Sequence, residues 1–363
     1  MTVPSDHDFL EIDPNAAARP DSGLFGLDPE PDRARVWVLP VPFDATTSYR
    51  PGTARGPEAV LSASRQVDVL CPLFGHPWRA GIALRPEPEG VRAAEEEAFA
   101  RARRIVEVGG YIEGDAALAA DLAAVNAASE RMNAAVEADT RAALEAGRLP
   151  VLLGGDHSTP FGALAAVSKV HRGVGVLHFD AHSDLRASYE GFTWSHASIL
   201  RNATDRLDGI AKVVQVGIRD TCPEEVDYAA ASGGRIEILG DEAWAAVRLG
   251  RTDLEAFVRT WVDKLPDEIY VTFDVDALDP ALCPNTGTPV PGGLRWDEVS
   301  LWLRVVASSG RRVVGLDLVE VSPGEHDDGS EDTWDAMIGA RLLYRLIGCA
   351  LSTRAEDRDA LRR

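Results

Sequence analysis

The sequence predicts a single doubly wound α/β domain, three layers deep, around a mainly parallel central sheet. Three observations predict it. Short apolar runs alternate with helical patterns over most of the chain. Several runs are apolar at consecutive positions, as strands buried on both faces require. Ionisable residues gather just after those runs, at the strand carboxyl ends where open α/β sheets build their sites.

Residues 1–33 are rich in Pro and Asp with little periodicity, and are expected to form an extended N-terminal arm, packed on the body or on a neighbouring subunit. The body is expected over 34–352, with a tail over 353–363. Strands are expected at "RVWVLPV" (35–41), "LPVLLGG" (149–155), "GVGVLHFD" (173–180), "KVVQVGI" (212–218), "RIEIL" (235–239), "EIYVTFDVD" (268–276) and "RVVGLDLVEV" (312–321). Helical spacing marks 57–66, 91–108, 159–170, 223–232, 252–264, 296–309 and 333–349, and an Ala-rich segment over 116–147 that ends at Gly147. "GPEAV", "GGLRWDEV" and "SPGEHDDGSED" read as helix starts or loops, and no internal repeat stands out.

Composition narrows the function. With 45% hydrophobic and 26% charged residues in 363, the chain supports a stable core without disulfides. Its formal charge of −21 makes nucleic acid and anionic membrane surfaces poor partners. Cys71, Cys222, Cys283 and Cys349 lack CxxC spacing, which argues for inert thiols in a reducing cytoplasm. The N-terminus carries no secretory h-region, and no apolar run is long enough to span a membrane.

The chemistry is concentrated in "HFDAHSD", His178 to Asp184. If "DAHSD" is extended, Asp180, His182 and Asp184 project to one side, because strand side chains alternate with period two. "VTFDVDALDP" repeats the logic with Asp274 and Asp276, and "LLGGDHS" adds Asp156 and His157 after Gly154 and Gly155. One such Asp is ordinarily a turn cap. Three strand ends together accumulate carboxylates that repel unless cations neutralise them. Four carboxylates and two imidazoles without thiolate suit two divalent ions: Mn²⁺, with Ni²⁺, Fe²⁺ or Co²⁺ as alternatives. Such a pair lowers the pKa of water and points to hydrolysis.

"GGDHS", "HFDAHSD", "TFDVDALDP" and "GLDLVEVSP" resemble the four signature blocks of the ureohydrolases, the arginases, agmatinases and relatives, over roughly 35–350. The resemblance implies a parallel α/β sandwich of the arginase type, trimers or hexamers, and hydrolysis of a guanidinium group to urea and an amine by a metal-bridging hydroxide. By motif, it implies that His157, Asp180, Asp184 and Asp274 hold one metal and His182, Asp180, Asp274 and Asp276 the other, with Asp180 and Asp274 bridging. Glu320 matches the guanidinium-binding glutamate, and a carboxylate pairs two guanidinium N–H groups in a fork. His196 in "FTWSHAS" lies close to the proton-shuttling histidine, although this chain has His196-Ala197 where most relatives have His-Gly. His178 and Asp156 fall outside the implied ligand set and read as supporting residues.

The substrate is less constrained. Arginases carry an Asn where this chain has Arg186, and an Asp where it has Cys222, and both changes count against arginine. A fixed cation at Arg186 would disfavour the distal ammonium of agmatine if it points into the site, and would not if it turns to solvent or to Glu190. Tyr189, Phe192 and Trp194 beside His196 suit a short pocket that cages a small cation, or plain lid packing. Together with "TTSYRPGTARGPEAV" they look like the agmatinase-like branch that includes guanidine hydrolases, for which nickel use is a trait. Guanidine or a short alkylguanidine is therefore expected, then agmatine or a guanidino acid. Two other classes compete: a non-catalytic subunit of a hetero-oligomer, which typically loses ligands, and a deacetylase-like relative, which usually keeps one metal site. The complete ligand set speaks against both.

Overall fold

A computed structural model describes residues 13–250, 253–325, 331–358 and Leu361. Eight strands form the central sheet: β1 (Val36–Val41), β2 (Ile82–Leu84), β3 (Leu149–Gly154), β4 (Val174–Phe179), β5 (Ile210–Ile218), β6 (Ile236–Gly240), β7 (Glu268–Phe273) and β8 (Arg312–Leu318). Their order is β2-β1-β3-β8-β7-β4-β5-β6, and every pairing is parallel. All seven apolar runs become strands. The eighth, β2, has three residues at the sheet edge, too few to leave a periodic signal.

Among the described residues, ten helices flank the sheet: α1 (Gly56–Ser64), α2 (Val91–Val106), α3 (Ala116–Glu145), α4 (Phe161–Val170), α5 (Ile199–Arg206), α6 (Pro223–Ala231), α7 (Asp241–Leu249), α8 (Leu254–Val262), α9 (Trp296–Ser308) and α10 (Trp334–Thr353). Helices α5 and α7 were not expected. The first is short and mostly polar, and the second starts directly at the end of β6 with no turn residues to announce it.

Consecutive apolar residues in each strand serve opposite faces. Val151, Leu153, Leu177, Phe179, Val271 and Phe273 pack with residues of α1 and α7–α10, whereas Leu152, Val176 and Tyr270 pack with α2–α6. Burial on both faces is why the strands read as runs instead of alternations.

The described part of the N-terminal segment lies against the body. Leu24, Phe25 and Leu27 are buried, the Phe25 ring sits 4.7 Å from Tyr344, and Arg65 donates to the Ser22 carbonyl. Residues 1–12 lie outside the described region. After α10, Arg354 Nε donates to Asp357 at 2.8 Å and Leu361 reaches the core. Among the described residues, no helix is long and apolar enough to cross a membrane.

Candidate metal centre and active site

Four adjacent strands in the middle of the sheet, β3, β8, β7 and β4, end beside one another. Their carboxyl ends carry His157, Glu320, Asp274 with Asp276, and Asp180 with His182 and Asp184. Glycine makes the β3 end possible: a Cβ on Gly155 would lie 2.0 Å from the Phe43 carbonyl oxygen.

The expectation that "DAHSD" is extended is corrected here. Strand β4 stops at Phe179, and Asp180 Oδ1 accepts the His182 N–H at 2.6 Å. Asp274 Oδ1 accepts the Asp276 N–H at 2.8 Å, and Asp156 Oδ1 accepts the Ser158 N–H at 3.0 Å. All three strand ends thus fold through the same Asp side-chain turn. That turn, in place of a continuing pleat, brings side chains two apart onto one site. Beyond it the backbone is held in the left-handed region at Asp184 (φ 54°), and β8 leads to the same conformation at Glu320 (φ 63°). Non-glycine residues adopt it at a cost that the surroundings must impose.

The side chains converge in two groups. His157 Nδ1 lies 2.9 Å from Asp180 Oδ2, 3.1 Å from Asp184 Oδ2 and 3.3 Å from Asp274 Oδ2. His182 Nδ1 lies 2.9 Å from Asp276 Oδ2 and 3.5 Å from Asp180 Oδ1. Asp180 therefore gives one oxygen to each group. All six residues are buried except His182, which is partly exposed.

Carboxylates and imidazoles at these distances perturb one another's ionisation. Burial opposes charge on His157, but contacts with Asp180, Asp184 and Asp274 outweigh it and raise its pKa well above the usual range. His182 behaves alike against Asp276 and Asp180. Burial and the neighbouring Asp180 push Asp184 up to about 7, and burial with Asp276 and Asp180 raises Asp274 far above a normal carboxyl. Asp180 goes the other way: against burial, His178 and the contacts with His157 and His182 hold its carboxyl well below the usual range. Negative charge concentrated in this way beside imidazoles suits a divalent-cation site. The donor set, imidazole nitrogen and carboxylate oxygen, fits such ions.

Beneath the ligands, β7 and β8 set the tautomer of His157. Its Nε2 is 2.9 Å from Thr272 Oγ1, and the same hydroxyl is 2.8 Å from Asp317 Oδ1. The single hydroxyl proton goes to the carboxylate, so Nε2–H donates to Thr272. Nδ1 is then the atom turned to the Asp cluster. Thr272 and Asp317 were missed by sequence reasoning. Thr272 had a signal, since it precedes Asp274 by two in the run expected to form one strand, where the two would share a face.

Glu320 Oε1 accepts the backbone N–H of His157 at 2.8 Å, and its own carbonyl accepts from Thr286. Burial, with Asp274 and Asp156 nearby, raises its pKa well above the usual value, so it favours a cationic partner. A Cβ on Gly287 would come within 3.6 Å of Glu320 Oε2.

His196 begins a short 3₁₀ turn capped by Ser195. Its Nδ1 lies 3.1 Å from the Thr46 carbonyl, which only accepts, so Nδ1–H donates there. Nε2 then accepts from Ser48 Oγ at 3.4 Å. Burial and the neighbouring His182 lower its pKa to about 4. Thr46 and Ser48 stand in the quoted "TTSYRPGTARGPEAV", but nothing in the sequence tied them to His196, over 100 residues away.

Arg186 lies between Glu225 and Tyr189. Its Nε lies 3.9 Å from Glu225 and its guanidinium sits 4.9 Å over the Tyr189 ring. Tyr189 presents its ring edge-on to His196, centroids 6.0 Å apart. It pairs with Phe192 across Glu190 and Gly191, both at positive φ, as a tight hairpin turn requires. Trp194 packs on the α3–α4 side: its ring lies 4.7 Å from Phe161, Arg206 covers it, and Nε1 donates to Glu130. Asp156 Oδ2 accepts from Thr46 and holds the loop that carries Ser48.

Comparison with known proteins agrees with this geometry. The family model described as the arginase family matches residues 34–348. Proclavaminate amidinohydrolase of Streptomyces clavuligerus is 32% identical, covering 92% of this chain and 95% of that protein. N(1)-aminopropylagmatine ureohydrolase of Thermus thermophilus is 32% identical over 90% of this chain and 94% of its own length. The crystal structure of agmatine ureohydrolase of Thermoplasma volcanium superposes with a TM-score of 0.65 at 26% identity, covering 88% of this chain and 91% of that one. A family match of that extent, joined to the strand-end site, means that the chain belongs to the arginase family of ureohydrolases.

Proposed function

We propose that this chain hydrolyses a guanidinoalkylamine of the agmatine class to urea and an amine, using two divalent ions. One observation carries the metal reading: three buried carboxylates and His157 Nδ1 meet within 3.3 Å, and share Asp180 with His182 and Asp276. His157, Asp180, Asp184 and Asp274 would hold one ion, and His182, Asp180, Asp274 and Asp276 the other. When bound, the ions neutralise the four carboxylates and supply hydroxide at neutral pH. Mn²⁺ and Ni²⁺ are the candidates, since the donor set holds no sulfur.

Glu320 would anchor the guanidinium as a planar fork and orient its carbon. His196 Nε2, the nitrogen not committed to Thr46 and bare in this tautomer, would first take up a proton from solvent and then pass it to the leaving amine. Arg186 bears on substrate choice. Its charge is partly answered by Glu225 and lies over Tyr189, which weakens its objection to a distal ammonium. The relatives named for N(1)-aminopropylagmatine and agmatine support the same choice. A second reading, guanidine or a short alkylguanidine, is favoured by Tyr189 standing edge-on to His196 and shortening the pocket. Tyr189 belongs to that reading as a wall of the substrate pocket, whereas Trp194 packs on Phe161 and Glu130 instead. A homotrimer or hexamer in the cytoplasm, with residues 34–352 as the catalytic body between an N-terminal arm and a C-terminal tail, completes the proposal.

The test is urea release from agmatine, N(1)-aminopropylagmatine, guanidine, methylguanidine, guanidinobutyrate and arginine, with enzyme loaded separately with Mn²⁺ and Ni²⁺. The agmatine class should give the highest kcat/KM. A preference for guanidine would replace the first reading with the second, and a preference for arginine would overturn both.

A further inference from the structure

A row of buried polar side chains crosses the sheet one level below the metal ligands. His178 on β4 pairs in register with Gln215 on β5 and with Thr272 on β7. His178 and Gln215 are both 0% exposed. Gln215 Nε2 lies 2.6 Å from the Ser183 carbonyl, which only accepts, so the amide nitrogen faces that way. The same nitrogen lies 2.9 Å from His178 Nδ1. Its remaining proton makes Nδ1 an acceptor and leaves the imidazole proton on Nε2. That Nε2–H donates to Asp180 Oδ2 at 2.9 Å.

The oxygen it reaches is the one shared with His157, while Oδ1 is held by the His182 N–H and faces the other group. The Asp180 carboxylate is therefore gripped at both oxygens. The pair is also costly for a sheet interior, because Gln215 Oε1 is buried with no partner among the described residues. Two apolar side chains would pack there without that penalty.

We infer that His178, with its tautomer set by Gln215, is a positioning residue that holds the Asp180 carboxylate astride the two metals. The inference rests on the two-metal reading above. Outer partners of metal ligands typically control affinity by about 10–100-fold. His178 acts on the oxygen of the His157 group, so its loss should weaken that ion more than the other.

The experiment is titration of the metal-free full chain with Co²⁺ alone, followed by calorimetry and by the visible Co²⁺ absorption, with thermal melting as the folding check. Wild type should bind two ions. His178→Leu should weaken one of the two by about 10–100-fold and change its absorption band. His178→Gln places an amide N–H near the lost Nε2 and should restore affinity to within about threefold. Should His178→Leu fail to fold, Gln215→Met keeps the volume and frees the tautomer, and it should lower the same affinity. Two ions bound as in wild type by folded His178→Leu, or by Gln215→Met, would overturn the inference. Equal losses in His178→Leu and His178→Gln would also overturn it, since the N–H would then be irrelevant. Wild type binding fewer than two ions would instead overturn the metal reading on which it rests.

Discussion

Asp180 is the residue on which both halves of the site turn, because each of its oxygens faces a different histidine. The residues around it divide by task. His182→Ala or Asp276→Ala should lose one ion and most turnover, since each removes a donor from the second group alone. Metal analysis of the purified variants checks this, and two ions per chain in both would contradict it. Glu320→Gln is expected to behave differently. It keeps the acceptor for the His157 N–H but loses the charge that answers a guanidinium. A charged hydrogen bond contributes about 1.5–3 kcal/mol, so kcat/KM should fall by roughly 10–100-fold with metal content unchanged. A drop in metal content would move Glu320 into the ligand set.

At the scale of the element, the strands bring the site together and the turns aim it. Helix α2 supports the loop after β1, which carries Thr46 and Ser48, through Glu95, whose Oε2 accepts the Asp44 N–H at 3.0 Å. Burial and the nearby Asp44 push Glu95 up to about 9. A carboxyl whose pKa is raised in the folded state favours folding below its unfolded value near 4.5. That contribution is lost as pH rises toward 9. Glu95→Gln should therefore raise the melting temperature at pH 8 and change it little at pH 4. Equal shifts at both pH values would show that the gain is not one of ionisation. The same scale explains what could be read from sequence. Strands buried on both faces announce themselves as apolar runs, and ligands at their ends stand in short motifs. The Asp turns were not legible as turns, because D-x-H and D-x-D also satisfy the alternation of a strand. Nor were Thr46, Ser48 and Gln215 legible as site residues, because their roles come from pairing with distant segments. Arg186 showed the limit most clearly: its identity was visible, but its direction was set by Glu225 and Tyr189.

For the whole molecule, the doubly wound sheet places four strand ends side by side and so concentrates negative charge where two cations fit. The chain as a whole carries the same sign, with a formal charge of −21, which favours approach of a cationic substrate at low salt. The central claim is that catalysis belongs to a pair of metal ions at these strand ends. Its most direct test is urea release from agmatine and guanidine as metal-free protein is titrated with Mn²⁺ or Ni²⁺. Activity that rises to a plateau at two ions per chain is the expected result, and no urea from either compound at full occupancy with either metal would contradict it.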